Sequence, residues 1–223
     1  LNMHRIKGLS EHFVYFNDDM FLTSPVVETD FFRKGLPCDL AMESPITPVN
    51  REIFKYILCN NMVLLNEHFN RREVLKKHGR KFYFVPDKKT MAVNWSLRLL
   101  RRSEFFGLEY AHLPVAYCKS TFEEVWEAEK DLLNKTSSHR FRSADDVNQW
   151  VMLWWQIASG SFSPYNTDNL VCSVNKNTSN FVCNAIKSQS NDMICVNDSA
   201  DENDFEFLAE ELKSAFQTIL PEK

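Results

Sequence analysis

Residues 13–16, Phe-Val-Tyr-Phe, form an uninterrupted apolar, β-prone run that stops at Asn17-Asp18-Asp19. A strand without polar alternation is typical of a sheet covered on both faces. Open α/β sheets place their ligands beyond the carboxyl ends of such strands. Two adjacent carboxylates there are costly to bury without a cation, and their hard oxygens suit Mg²⁺ or Mn²⁺. Asp18 and Asp19 are therefore candidate metal ligands, with Asn17 beside them; an Asx-capped turn would use the same three residues.

The rest of the chain alternates helices with short strands. Residues 51–66 read as a helix capped by Asn50, with Ile53, Phe54, Ile57 and Leu58 on one face. A charged helix over 71–78 ends near Gly79. Phe82-Tyr83-Phe84-Val85 reads as a second strand stopped by Pro86, and 90–101 as a helix. Thr121-Phe-Glu-Glu124 is a capping box opening a helix to about Leu133. Ser143-Ala-Asp-Asp146 is a similar start, for a helix carrying Trp150, Val151, Trp154 and Ile157 and stopping near Gly160. The Ser- and Asn-rich stretch 160–192 reads as loops around one or two short strands. Residues 193–196, Met-Ile-Cys-Val, are a third strand, and it too ends in acid, at Asn197-Asp198; Asp198 joins the metal candidates. An amphipathic helix over 204–220 is ended by Pro221. Such alternation predicts an α/β fold.

Composition removes several function classes. Only 5 of 223 residues are Gly, and neither G-x-x-x-x-G-K-[ST] nor G-x-G-x-x-G occurs. A net charge of -4 does not suit a nucleic-acid partner. The six cysteines form no C-x-x-C pair and read as small buried hydrophobes of a reducing compartment. No apolar run reaches the ~18 residues needed to span a bilayer. The chain opens on Leu1 inside what reads as an element, so a preceding N-terminal portion is expected.

Further residues carry chemistry. His112, in Ala111-His-Leu-Pro114, sits in an extended segment and is a candidate general base, or a structural His at a strand end. Arg142, in His139-Arg-Phe-Arg142, stands just before the helix start expected at 143–146, where both guanidinium and helix terminus favour phosphate; a solvated loop paired with Asp145 and Asp146 is the other reading. His139, Arg5 and Asn17 are candidate substrate contacts. Trp150, Trp154 and Trp155 have the spacing of helix packing rather than of a sugar platform.

The stretch His4-Arg-Ile-Lys-Gly-Leu-Ser-Glu-His-Phe-Val-Tyr-Phe-Asn-Asp-Asp-Met-Phe-Leu22 resembles the second conserved region of the Stealth family. Ala111-His-Leu-Pro114, Lys119-Ser-Thr-Phe122 and Arg140-Phe-Arg-Ser-Ala-Asp-Asp146 resemble its third, and Ile194-Cys-Val-Asn-Asp198 with the terminal helix its fourth. The family contains bacterial capsular polysaccharide phosphotransferases and the catalytic chain of the animal lysosomal-enzyme GlcNAc-1-phosphotransferase. The resemblance implies transfer of a sugar-1-phosphate from a UDP-sugar, such as UDP-GlcNAc, to a hydroxyl of a capsular oligosaccharide, with release of UMP. It implies roles for Asp19, His112 and Arg142, dependence on a divalent cation, and a cytoplasmic enzyme, peripheral at the inner face of the membrane beside the capsule machinery. The expected architecture is a Rossmann-like or GT-A-like mixed sheet flanked by helices, incomplete at the N-terminus. All 223 residues are expected to form the C-terminal part of one catalytic domain, with the conserved regions at about 1–110, 111–165 and 190–223. A metal-dependent glycosyltransferase releasing UDP, and a carbohydrate-binding module, are the rival readings.

Overall fold

The computed structural model describes residues 1–47, 52–85, 87–165, 169–199, 201 and 203–220. A 3-10 turn (Met3–Arg5) precedes β1 (His12–Tyr15) and β2 (Met20–Leu22). A one-turn helix, α1 (Glu28–Phe31), leads into β3 (Phe32–Arg33) and β4 (Leu36–Asp39). Four helices follow: α2 (Ile53–His68), α3 (Arg71–His78), α4 (Arg80–Tyr83) and α5 (Lys88–Arg98). Next come β5 (Val115–Cys118), α6 (Lys119–Ala128), α7 (Lys130–Ser138), α8 (Trp150–Ser159) and β6 (Ser163–Pro164). The chain then runs through β7 (Asn169–Val174), α9 (Ser179–Ser188), β8 (Met193–Asp198) and α10 (Phe205–Ile219). The fold is α/β, with its strands in three small sheets among the described residues. No helix among these residues is long and apolar enough to cross a membrane.

The chain divides into two compact units. Unit 1 is Leu1–Val14, Phe31–Tyr110 and Ala116–Asn166; unit 2 is Tyr15–Asp30, Ala111–Val115 and Thr167–Lys223. Unit 1 is built around α8, buried continuously from Trp150 to Ala158. A helix that is apolar all round belongs in a core, so the tryptophans pack as their spacing predicts. α2 packs against it, with its Leu58, Met62 and Leu65 buried, and the Asn61 and Asn148 side chains bond to each other just before α8 begins. Gly160, with φ of 76°, ends α8. The β3–β4 hairpin turns on Lys34 and Gly35, both at positive φ, as a two-residue primed turn requires.

In unit 2, β8 is the central strand, antiparallel to β2 and parallel to β7. α9 connects the two parallel strands. Its Val182, Cys183 and Ile186 join Val174, Ile194, Leu208 and Ala215 in one buried cluster. The terminal helix keeps its predicted face, with Leu212, Phe216 and Ile219 packed on that cluster.

Several local expectations are corrected. Residues 82–85 are not a strand: Phe82 and Tyr83 end α4, because a short apolar run cannot be told from a buried helical turn by periodicity. Thr121 does not open a helix; α6 starts at Lys119, and the buried Thr121 hydroxyl donates to Gln156. The helix expected to reach Leu133 is instead two, broken at Glu129 with φ -127°. The loop stretch 160–192 contains α9, a full helix. β1 is half-buried at Phe13–Tyr15 rather than fully covered, and the buried strands are β5 and β8. Four of the six cysteines are only partly buried, and none is in a disulfide. The caps and stops expected at Asn50, Pro86 and Pro221 lie outside the described residues.

Candidate active site

Asp19 lies in the turn between β1 and β2. Met20 N–H bonds to Asn17 O at 3.3 Å, and Asn17 N–H reaches back to Met20 Sδ at 3.3 Å. The turn is held against β8: Val196 N–H donates to Asp19 O at 2.9 Å, and the register places Met20 opposite Cys195. His112 comes from the segment before β5, far away in sequence but in the same unit.

These segments bring four side chains together. His112 Nε2 is 3.0 Å from Asp19 Oδ2 and 3.2 Å from Asn17 Nδ2. Cys195 Sγ donates to Asp19 Oδ2 at 3.4 Å. One ring nitrogen cannot donate and accept at once. The charged carboxylate is the stronger partner, so the Nε2 proton points at Asp19. The Asn17 amide then turns its oxygen toward the ring, since the two amide ends have the same shape. This tautomer leaves His112 Nδ1 as the basic nitrogen.

The rest of the environment is uneven. Asp19 Oδ1 is buried and has no hydrogen-bond partner among the described residues. Burial, then the bond to Asp19 and the charge of its carboxylate, push the Cys195 thiol up to about 12. Cys195 therefore stays a thiol and a donor, not a nucleophile. Sequence reasoning treated Cys195 as one buried hydrophobe among six; only its place in a strand ending at Asn197-Asp198 hinted at more.

Asp19, His112 and Cys195 each offer one ligand atom, and these atoms lie within 4.8 Å of one another. Carboxylate, imidazole and thiol together form a softer set than Mg²⁺ prefers. The orphaned Asp19 Oδ1 still fits a hard divalent cation, because such ions commonly take one or two protein carboxylates and complete their shell with phosphate and water. Asp18 and Asp198 are exposed and are not among the gathered atoms.

The remaining candidates belong to unit 1. The segment 139–146 is not the start of a helix; α8 begins only at Trp150. It is a loop closed on the buried Asp146, whose carboxylate takes a bond from Ser143 N–H at 2.7 Å and lies 2.6 Å from His139 Nδ1. Asn60 of α2 anchors it through the carbonyls of Ala144 and Asp146, each at 2.8 Å. Arg142 is exposed on this loop and forms no ion pair with a described residue. Arg5 lies over the Trp126 ring, 4.1 Å from its centroid.

Known proteins match along the whole chain. Residues 111–155, which carry His112 and Arg142, match the family described as Stealth protein CR3, conserved region 3. A capsular polysaccharide phosphotransferase, WcwK, of Streptococcus pneumoniae is 40% identical over 224 residues, 100% of this chain and 66% of the relative. The exopolysaccharide phosphotransferase cps2G of Lactiplantibacillus plantarum is 37% identical, across 100% of this chain and 65% of its own length. The receptor polysaccharide phosphotransferase WefC of Streptococcus oralis is 38% identical, with 100% and 66% covered. The chain thus spans just under two thirds of the length of these relatives. With its third conserved region matched by that model and its full length shared with these phosphotransferases, the chain belongs to the Stealth family.

Proposed function

We propose that the protein transfers a sugar-1-phosphate from a UDP-sugar to a hydroxyl of a growing capsular or exopolysaccharide chain. The acceptor oxygen bonds to the phosphorus next to the sugar, the bond from that phosphorus to the UMP oxygen breaks, and a phosphodiester and UMP result. The printed names of the relatives support phosphotransfer onto polysaccharide. The observation that carries the reading is the 3.0 Å contact between His112 Nε2 and Asp19 Oδ2, which leaves Nδ1 free to take a proton.

In this reading His112 accepts the acceptor's hydroxyl proton, and Asp19 stabilises the imidazolium that forms. Asn17 steadies the ring. Arg142 offers an unpaired guanidinium to charge developing on the transferring phosphoryl group. Arg5 and His139 contact the donor. A Mg²⁺ or Mn²⁺ ion would be held by Asp19, with Asp18 and Asp198 as further carboxylates of the same unit, and would neutralise diphosphate charge. The chain is the C-terminal part of one catalytic domain, working in the cytoplasm or at the inner face of the membrane.

The test uses the full-length enzyme with a UDP-sugar and a capsule oligosaccharide, followed by phosphorus NMR. A new phosphodiester with UMP is expected. Release of UDP with a glycosidic bond would replace this reading with ordinary glycosyl transfer. His112→Ala should lower the turnover rate by about 10²–10⁴-fold, the usual contribution of a general base. A rate near wild type would remove His112 from the mechanism.

A further inference from the structure

Unit 1 holds a cleft of about 400 Å³ lined by cations. Arg72 and Lys76 project from α3, Arg98 ends α5, and Arg101 follows it; Arg71 and Tyr83 complete the wall with Leu75. Arg71 is neutralised: it is buried, and its guanidinium binds both Glu43 oxygens, at 2.5 and 2.8 Å. Arg72, Lys76, Arg98 and Arg101 are different. All four are exposed, and none forms an ion pair with a described residue. Four exposed cations without an ion pair to a described residue around one cleft, in a chain of net charge -4, are a local excess of positive charge that favours an anion.

The cleft is also preorganised. Arg71 donates to the carbonyls of Leu97 and Leu100, each at 3.1 Å, so the start of α3 is tied to the end of α5. Arg98 is held over the rings of Tyr83 and Trp95, 5.3 and 4.9 Å from their centroids. Tyr83 is 94% buried, and its hydroxyl has no hydrogen-bond partner among the described residues. The rigid part of the wall is therefore aromatic, and the charged groups of Arg72, Lys76, Arg98 and Arg101 are the ones that face solvent.

We infer that this cleft is a second binding site, which holds phosphodiester groups of the glycan chain. The inference rests on the proposed transfer reaction, in which every added unit leaves one diester and one negative charge on the polymer. The volume suits one or two sugar phosphates rather than a single inorganic ion. Arginine forks match phosphate oxygens in pairs, and Lys76 adds a point charge. Held here, the finished part of the polymer stays on the enzyme between additions.

The test is fluorescence polarisation with the full-length protein and two probes: a labelled phosphodiester-linked oligosaccharide, and the same sugars without phosphate. The charge reversals Lys76→Glu and Arg101→Glu are introduced together, with circular dichroism to check folding. Binding of the phosphodiester probe is expected to weaken at least 10-fold, and binding of the neutral probe to stay unchanged. Equal affinity of variant and wild type for the phosphodiester probe would sink the site. So would an equal loss of UDP affinity, which would assign the cleft to the nucleotide. Loss of wild-type binding to phosphatidylglycerol vesicles in the variant would instead assign it to a membrane surface. His112→Ala separates the two proposals: it tests transfer, whereas the cleft is judged by probe binding alone.

Discussion

Single residues in this protein act through what surrounds them. Asp19 and His112 were legible in the sequence because both lie in short motifs whose residue types suit phosphoryl chemistry. Their contact was not legible, since 93 residues separate them and only folding sets the 3.0 Å distance. Cys195 shows the opposite case: nothing in its local sequence separates it from the other cysteines, yet β2–β8 pairing points it at Asp19. Asp39, at the end of β4, went unnoticed for a similar reason. Burial pushes its carboxyl up from 3.8 to about 7, against a lowering contribution from the Leu40 N–H. Between those two values the folded protein keeps a proton that the unfolded chain has lost, so stability falls as pH rises through that window. Urea unfolding should show the protein more stable at pH 5 than at pH 8, by on the order of 2–4 kcal/mol. Asp39→Asn should abolish most of that difference; a variant with the wild-type slope would show that another group titrates.

At the scale of elements, amphipathic periodicity identified helices well and caps poorly. The terminal helix emerged as read because its apolar face is sustained over several turns, and the charged run 71–78 because the Asn70 side chain caps it, accepting from Arg72 and Glu73 N–H. α9 was hidden by its Ser and Asn content, although Val182 and Ile186 are spaced one turn apart in a shared core. The tie between α3 and α5 was invisible too, because it depends on a buried ion pair with no sequence periodicity. Arg71 and Glu43 are 2% and 0% exposed as side chains, so removing one leaves the other as an uncompensated charge. Glu43→Ala should cost about 3–5 kcal/mol in urea unfolding. A loss below ~1 kcal/mol would mean that the Leu97 and Leu100 carbonyls already satisfy the guanidinium.

For the whole molecule, each unit carries its own core and its own reporter. All five tryptophans fall in unit 1, so their fluorescence reports only that part of the chain. Cys183 and Cys195 are buried in unit 2, and burial raises both thiols above their usual range, so alkylation at pH 8 should be slow until that unit opens. Ile186→Ala empties the centre of the unit 2 cluster and should cost about 2–5 kcal/mol. Labelling of Cys183 should then begin at lower urea than in wild type; an unchanged midpoint would show that the cluster does not hold the unit together. The sequence by itself determined the α/β class, the terminal amphipathic helix, and the Asn-Asp-Asp, His-Leu-Pro and Phe-Arg segments, because these depend on residue type and short spacing. Only the tertiary structure decided that Asn17, Asp19, His112 and Cys195 share one site, that Arg142 rides on a loop closed by Asp146, and that four cations surround a single cleft. Those outcomes depend on strand register and helix packing, which arise from contacts between residues far apart in the chain and leave no local periodic trace.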